Sequence, residues 1–177
     1  MKCLLACTGL LIASTVLSAQ LKPPSSPPAT ESATIAGKTI TIHYNSPGVK
    51  GRAGHIFSKD GLISHDPHYP IWRAGANAAT TLQTDANLDL GGLSVAPGAY
   101  TLFVDISDPD QWILIVSKDT GEWGLKYDST KDLGKAKMTM TKPAETIENL
   151  KYSIDGTAGT LTLAWENHIA TVPIAVH

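Results

Sequence analysis

Apolar and polar residues alternate along most of the chain with the period of two that is typical of β-strands. In Thr39–Tyr44 the isoleucines and the tyrosine fall on one face, and the threonines and the histidine fall on the other. In Trp112–Val116 the apolar residues are continuous, as expected for a strand that is covered on both faces. No segment keeps helical periodicity over several turns. Only Pro143–Asn149 is predicted to form a helical turn, since proline fits the start of a helix.

Turn signals divide this pattern into short segments. Pro97-Gly98, Asp108-Pro109 and Asp155-Gly156 combine residues that favour tight turns. The segments between such turns are predicted to be strands at 34–45, 49–57, 80–85, 88–95, 99–107, 111–117, 135–142, 150–155, 160–166 and 168–176. About eight to ten short strands predict an all-β fold, an antiparallel β-sandwich of jelly-roll or Greek-key type.

The beginning of the chain does not fit this pattern. Met1-Lys2 is followed by an apolar run from Leu4 to Leu17 and by the small residues Ser18-Ala19, which is the order of a secretory signal peptide. Residues 20–32 are rich in proline and serine and are predicted to form an extended linker. The predicted organisation is a signal peptide at 1–19, a linker at 20–32 and a β-sandwich domain at 33–177. The mature protein is predicted to be periplasmic or extracellular.

Composition narrows the class of protein. With 42% hydrophobic and 17% charged residues, the 177-residue chain is predicted to fold as a globular domain with an adequate core. The net charge of −2 provides no basic surface, which argues against a nucleic-acid partner. Both cysteines, Cys3 and Cys7, lie in the predicted signal peptide, so no disulfide is expected in the mature domain. The apolar run is too short to cross a bilayer, and no membrane-embedded domain is predicted.

The segment 71–82 departs from simple alternation, because large, charged, amide and hydroxyl side chains crowd together in it. Trp72 offers an apolar ring with one donor, Arg73 a planar set of donors, and Asn77 both donors and an acceptor. Thr80 and Thr81 add hydroxyl groups. Such a cluster either knits a core or lines a binding site, and the sequence leaves both interpretations open.

Several blocks of the sequence resemble a known family. The blocks are Ser46–Arg52, Trp72–Thr81, Ala96–Phe103 and Leu161–Asn167, in that order. Together they are similar to the bacterial exported family catalogued as domain of unknown function 2911. The resemblance implies an extracytoplasmic β-rich domain and assigns no catalytic residues. Family members usually have fewer residues between the block that ends at Arg52 and the tryptophan at Trp72. Features built from residues 58–70 are therefore predicted to be particular to this protein.

The first candidate site consists of two dipeptides in which a tryptophan is followed by a charged residue. Arg73 follows Trp72 and Glu166 follows Trp165, so a guanidinium could meet a carboxylate between two indole rings. The favoured interpretation is a structural ion pair that holds two strands in register. The functional alternative makes Arg73 a clamp for an anion or carboxylate, with the amide and hydroxyl groups of its own segment as further hydrogen-bonding partners.

A second candidate constellation is His65-Asp66-Pro67-His68, with His43 or His55 as a candidate third nitrogen ligand. Imidazole and carboxylate side chains suit zinc or copper. The spacing of His65, Asp66 and His68 matches no established metal-site pattern, and an exposed loop without metal is the favoured interpretation. No cofactor is predicted.

Two functional classes remain open. The mature chain has no cysteine and no Gly-x-Ser-x-Gly motif, so nucleophilic catalysis has no support in the sequence. The favoured hypothesis is a non-enzymatic module that binds a small ligand, a glycan or a protein. The alternative is a hydrolase or metal-dependent enzyme that uses surface histidines or carboxylates. The candidate ligand-binding residues are Trp72, Arg73, Asn77, Thr80, Thr81, Trp165 and Glu166. A concave pocket that contains both Arg73 and Asn77 would favour binding, whereas burial of both would favour architecture.

Overall fold

The computed structural model describes residues 25–121 and 124–177. The protein is all-β, with 52% strand and 4% helix. The predicted signal peptide, both cysteines and linker residues 20–24 lie outside the described residues, as do Glu122 and Trp123. Within the described ranges, no helix has the length and apolar character needed to cross a membrane.

The described residues form thirteen strands and two short 3₁₀ helices. The strands are β1 (Pro28–Ile35), β2 (Lys38–Asn45), β3 (Ile71–Trp72), β4 (Thr80–Thr84), β5 (Leu88–Leu90), β6 (Leu93–Val95), β7 (Gly98–Asp105), β8 (Ile113–Ser117), β9 (Asp132–Lys137), β10 (Thr139–Thr141), β11 (Ile147–Asp155), β12 (Thr160–Glu166) and β13 (His168–Val176). The 3₁₀ helices are Ile63–His65 and Ser129–Lys131.

The strands assemble into two antiparallel sheets. The seven-stranded sheet has the order β1-β2-β4-β7-β8-β9, and β3 also pairs with β7. The six-stranded sheet has the order β11-β12-β13-β5-β6, and β10 also pairs with β13. The prediction of an all-β, antiparallel protein is confirmed.

The described residues hold more strands than predicted, because two predicted strands are divided and β1 and β3 were not predicted, whereas the predicted strand 49–57 is absent. The segment 88–95 is a hairpin of β5 and β6, whose turn residues Gly91 and Gly92 have φ of 58° and 92°. The segment 135–142 divides at Met138 into β9, which pairs with β8, and β10, which pairs with β13. Alternation along one segment cannot show that its two halves pair with different neighbours.

Both sheets contribute to one hydrophobic core. Ile40 and Ile42 of β2 and Leu102 of β7 are fully buried, and Leu163 of β12 is 2% exposed. His43, on the opposite face of β2, is exposed. The predicted division of this strand into a buried and an exposed face is therefore confirmed.

Two segments differ from their predicted structure. Residues 49–57 form turns and bends instead of a strand. Lys50, Gly51 and Gly54 have φ of 50°, 75° and 78°, which an extended strand does not accommodate. The segment 143–149 forms no helix, and its last residues already belong to β11.

The first strand begins at Pro28, ahead of the predicted domain start at residue 33. It pairs with β2 along its whole length, from Pro28 opposite Asn45 to Ile35 opposite Lys38. An edge strand can begin with proline, which has no N–H to donate to a ladder. The predicted linker boundary at residue 32 was wrong, because this strand alternates exposed with only half-buried residues and gives a weak apolar signal.

Candidate functional site

The segment 71–82 includes a loop that lies outside the seven-stranded sheet. β3 and β4 both pair with β7, with Trp72 opposite Val104 and Thr80 opposite Leu102. Residues 73–79 therefore leave the sheet as a loop and return to the same edge of β7. Ala74 and Asn77 in this loop have φ of 53° and 58°, a conformation that is uncommon for residues other than glycine.

The carbonyl group of Ala74 anchors the loop to the protein interior. It accepts hydrogen bonds from the hydroxyl of Thr80 at 3.1 Å and from that of Tyr152 at 2.9 Å. Burial raises the pKa of Tyr152, so its hydroxyl stays protonated and remains a donor. Thr80 is fully buried and thus serves the architecture of the loop.

An aromatic cluster packs next to the loop. Trp72 and Trp165 stack with ring centroids 6.0 Å apart, and each is 2% exposed. Phe57 meets Trp72, Trp112 and Trp165 at centroid distances of 5.4, 5.0 and 5.6 Å. The two rings were expected to shield an ion pair between Arg73 and Glu166, and they stack on each other instead.

The two stacked indole rings differ in their hydrogen bonding. Trp72 donates its N–H to the carbonyl oxygen of Gly75 at 3.2 Å. The N–H of Trp165 is buried and has no hydrogen-bond partner within residues 25–121 and 124–177. A buried donor without a partner is uncommon and costs free energy, which makes Trp165 a group that a ligand could satisfy.

A cavity of about 220 Å³ lies beside Trp165, and we call it the Arg73 cavity. It is lined by Pro47, Leu62, Ile63, Asp66, Trp72, Arg73, Gly75, Ala76, Asn77 and Trp165. The structure thus brings together four of the candidate binding residues, Trp72, Arg73, Asn77 and Trp165. Arg73 and Asn77 share one concave surface, as expected of a binding site.

Arg73 forms an ion pair with Asp66. Its Nη2 lies 2.5 Å from Asp66 Oδ1, and its Nη1 donates to the carbonyl oxygen of Asn77 at 3.4 Å. The side chains of Arg73 and Asp66 are 13% and 19% exposed, so the pair is partly screened from water. Asp66 was considered only as a weak metal ligand, and the structure places it in the candidate site.

The expected ion pair between Arg73 and Glu166 was wrong. Among the described residues the two side chains form no ion pair with each other; Glu166 contacts Gly54 and His168 instead. Although adjacent in the chain, Trp165 and Glu166 have different surroundings, because Glu166 has φ of 53° at the turn between β12 and β13. Trp165 lines that cavity, and Glu166 lines a different one.

Ser26 and Gly124 contact residues that line the Arg73 cavity. Asn77 is exposed and donates its side-chain N–H to the carbonyl oxygen of Ser26 at 3.3 Å. A Cβ added at Gly124 would lie 2.6 Å from Arg73 Cδ and 2.7 Å from the carbonyl oxygen of Asn77. A side chain at residue 124 would therefore displace the two polar groups of the site. Sequence reasoning missed both contacts, because they join segments far apart in the chain.

The remaining candidates lie outside this cavity. Thr81 is half-buried in the sheet, opposite His43 of β2 and Thr101 of β7. Like Thr80, it does not line the cavity. Neither threonine is brought to Arg73 as a hydrogen-bonding partner of a ligand.

The histidines do not converge. His65 and His55 are exposed, His43 contacts the Thr30 hydroxyl at 3.0 Å, and the ring of His68 lies 6.1 Å from that of Tyr127. In the part of the chain that the structure describes, no three His, Cys, Asp or Glu side chains gather in a way that could hold a metal ion.

A second cavity, of about 320 Å³, surrounds Glu166, and we call it the Glu166 cavity. Its lining includes Phe57, Trp112, Lys142, Glu166 and His168. Glu166 is 2% exposed, and its Oε1 accepts the backbone N–H of Gly54 at 2.6 Å. Its Oε2 lies 3.7 Å from Nδ1 of His168.

His168 carries the other ionisable group of the Glu166 cavity. Burial lowers the pKa of its imidazole, Glu166 opposes that shift, and Lys142 adds to it. The ring therefore favours the neutral form. The sequence analysis considered Glu166 as a partner of Arg73 and did not link it to His168, Lys142 or Trp112; Lys142 and Trp112 are distant from it in the chain.

Comparisons with known proteins place the chain in a family. No curated protein and no solved structure matches it. The family described as "Protein of unknown function (DUF2911)" matches residues 26–174, which cover both sheets and both cavities. The chain belongs to the DUF2911 family.

Proposed function

We propose that this protein is a binding module for a small ligand and that the Arg73 cavity is its binding site. The observation that carries the proposal is the buried N–H of Trp165, which lacks a partner in the described residues while its side chain lines a cavity. The same cavity presents Arg73 and Asn77. An apolar wall with a few polar groups is the usual composition of a small-molecule site.

The pairing of charges in the cavity favours a neutral ligand. Asp66 already neutralises Arg73, so an anion would have to compete with a carboxylate 2.5 Å from the guanidinium. A carbonyl or hydroxyl oxygen of an uncharged ligand could accept from Trp165 without breaking this pair. Asn77, which is exposed at the rim, could donate to or accept from the same ligand.

The dimensions of the cavity favour a compact ligand. Its volume of about 220 Å³ is below the roughly 300–1,000 Å³ of sites for drug-sized molecules. Trp72 and Trp165 are 2% exposed, so neither ring offers an open face on which a long glycan could stack. A single sugar, or one amide-bearing group of a larger molecule, fits better than an extended chain.

The test uses the indole N–H of Trp165 as the probe. We expect N-acetylglucosamine or acetamide to shift this signal saturably in ¹H–¹⁵N spectra, with the signal assigned through Trp165→Phe. Asn77→Ala should weaken the response, and the matched control Asn87→Ala, an exposed asparagine elsewhere, should not. A Trp165 signal that responds to neither probe, or responds equally to acetate, would contradict the proposed site.

The enzymatic alternative has less support. No nucleophile motif is present, and the described His, Cys, Asp and Glu residues form no cluster of three. Lys142, Glu166 and His168 could serve proton transfer, but Glu166 Oε2 and His168 Nδ1 are 3.7 Å apart and form no hydrogen bond.

We also propose that the protein is exported and that its two sheets pack as a β-sandwich. The apolar run after Met1-Lys2 and the small residues before Gln20 support export to the periplasm or beyond. The single core to which both sheets contribute supports the sandwich. Intact-mass measurement of exported protein should find a chain that begins near Gln20, and a chain that retains Met1 would contradict export.

A further inference from the structure

The Glu166 cavity is independent of the proposed site and contains a buried carboxylate. Glu166 is 2% exposed, and the ion-pair contact that the described residues provide for it is His168. Because a buried charge is costly unless it is paired, a carboxylate in this position calls for a cationic partner.

The backbone at Glu166 is strained. Trp165 pairs with His168, so Glu166 and Asn167 form the turn between β12 and β13. Glu166, the first residue of this turn, has φ of 53°. Turns of this kind favour glycine or asparagine at that position. A buried glutamate held in a strained turn indicates a use for its carboxylate beyond the turn itself.

Two acceptor atoms face each other across a gap. The Oε1 atom of Glu166 accepts from Gly54, whereas Oε2 lies 3.7 Å from Nδ1 of His168, which is too long for a hydrogen bond. The Nδ1 atom is buried and has no hydrogen-bond partner in the described ranges. Since burial and Lys142 lower the pKa of His168, the neutral ring can offer a nitrogen lone pair.

Aromatic rings surround this pair of acceptors. Trp112 stacks on His168 with centroids 5.1 Å apart, and Phe57 lies 4.7 Å from His168 and 5.0 Å from Trp112. Trp112 and Phe57 both line the cavity. Trp112 is 2% exposed and stacked on His168, whereas Phe57 is half-buried and leaves part of its ring accessible to a cation.

We propose that the Glu166 cavity binds the primary ammonium group of a small amine. An ammonium group has three N–H donors and no acceptor. It could therefore donate to both Glu166 Oε2 and His168 Nδ1, which form no hydrogen bond with each other. Its charge would pair with Glu166, and one N–H would reach His168 Nδ1. The attached carbon chain would lie against Phe57, the half-buried ring of the cavity lining.

Lys142 provides the competing hypothesis. Its side chain lines the same cavity, and the residue is exposed. If Lys142 were the ligand-binding group, the cavity would take an anion. The two hypotheses therefore predict opposite charges for the ligand.

The first experiment compares three probes of similar shape on the unaltered protein. We expect n-butylammonium to shift the indole N–H signal of Trp112 saturably and to bind about tenfold or more tightly than n-butanol. Butyrate should bind more weakly than the amine. Equal binding of the amine and the alcohol, or tighter binding of butyrate, would overturn the proposal.

The second experiment removes the carboxylate charge. Glu166→Gln keeps an acceptor for Gly54 and should weaken n-butylammonium binding about tenfold or more. Glu145→Gln, at an exposed glutamate, should leave it unchanged. Lys142→Gln should leave it unchanged or strengthen it. Unchanged binding in a folded Glu166→Gln protein, or loss in Lys142→Gln, would refute the proposal; if Glu166→Gln does not fold, the probe comparison decides.

Discussion

The Arg73 cavity and the Glu166 cavity are supplied by neighbouring residues of one strand but differ in how their charges are balanced. Trp165 lines the first and Glu166 the second. In the first, Arg73 is paired with Asp66; in the second, Glu166 faces a histidine that favours its neutral form. Under the two proposals, the preferred charge of a ligand follows from the pairing inside each cavity and not from the presence of a charged residue alone.

The largest expected effect concerns the aromatic cluster next to both cavities. Trp72→Ala removes a side chain that is 2% exposed and stacks on Trp165, and we expect it to lower the free energy of unfolding by about 3–5 kcal/mol. Urea denaturation measures this loss. Tyr69→Ala, at a residue 42% exposed, should cost far less, and a similar cost for both would contradict the buried packing.

A smaller loss of stability is expected from a substitution that perturbs the Arg73 cavity more than the Glu166 cavity. Gly124→Ala would place a Cβ 2.6 Å from Arg73 Cδ, and we expect it to destabilise the protein by about 1–3 kcal/mol. In ¹H–¹⁵N spectra the indole signal of Trp165 should move more than that of Trp112. Equal movement of both signals would mean that the two cavities are not structurally independent.

The two charged pairings can be ranked by double-mutant cycles. For Arg73→Met with Asp66→Asn we expect a coupling of about 0.5–3 kcal/mol, because the two side chains are in contact and partly buried. For Arg73→Met with Glu166→Gln the effects should add within about 0.5 kcal/mol. Stronger coupling in the second cycle would restore the pairing that the sequence predicted.

The smallest expected effect is a pH dependence that originates in the Glu166 cavity. The pKa of His168 is lowered in the folded protein, so below the ordinary value of about 6.5 the unfolded chain binds more protons. The contribution of the neutral imidazole is complete above that pH and is lost as the pH falls towards the folded pKa. His168→Gln should flatten this part of the stability profile, and identical profiles for the two proteins would contradict it.

Much of the fold follows from the local pattern. Alternation in β2 predicts the strand and its buried face, because a period of two places every second side chain on the same side of a sheet. In β7 it predicts only the strand, since Thr101 and Phe103 on the second face are 2% and 4% exposed. The candidate segment was also identifiable, since Trp72, Arg73 and Asn77 interrupt that alternation and all line one cavity. Alternation gave no sign that residues 73–79 would leave the sheet and return to the same edge of β7, because that depends on pairing with a strand much later in the chain.

The sequence by itself determined the fold class, the family and the location of the first candidate site, because these depend on local periodicity and on blocks of adjacent residues. Only the tertiary structure decided that Arg73 pairs with Asp66 and that Glu166 belongs with His168 and Lys142. The physical reason is that adjacent residues need not share surroundings: Trp165 and Glu166 line different cavities, so the stacking of Trp72 on Trp165 does not bring Arg73 to Glu166.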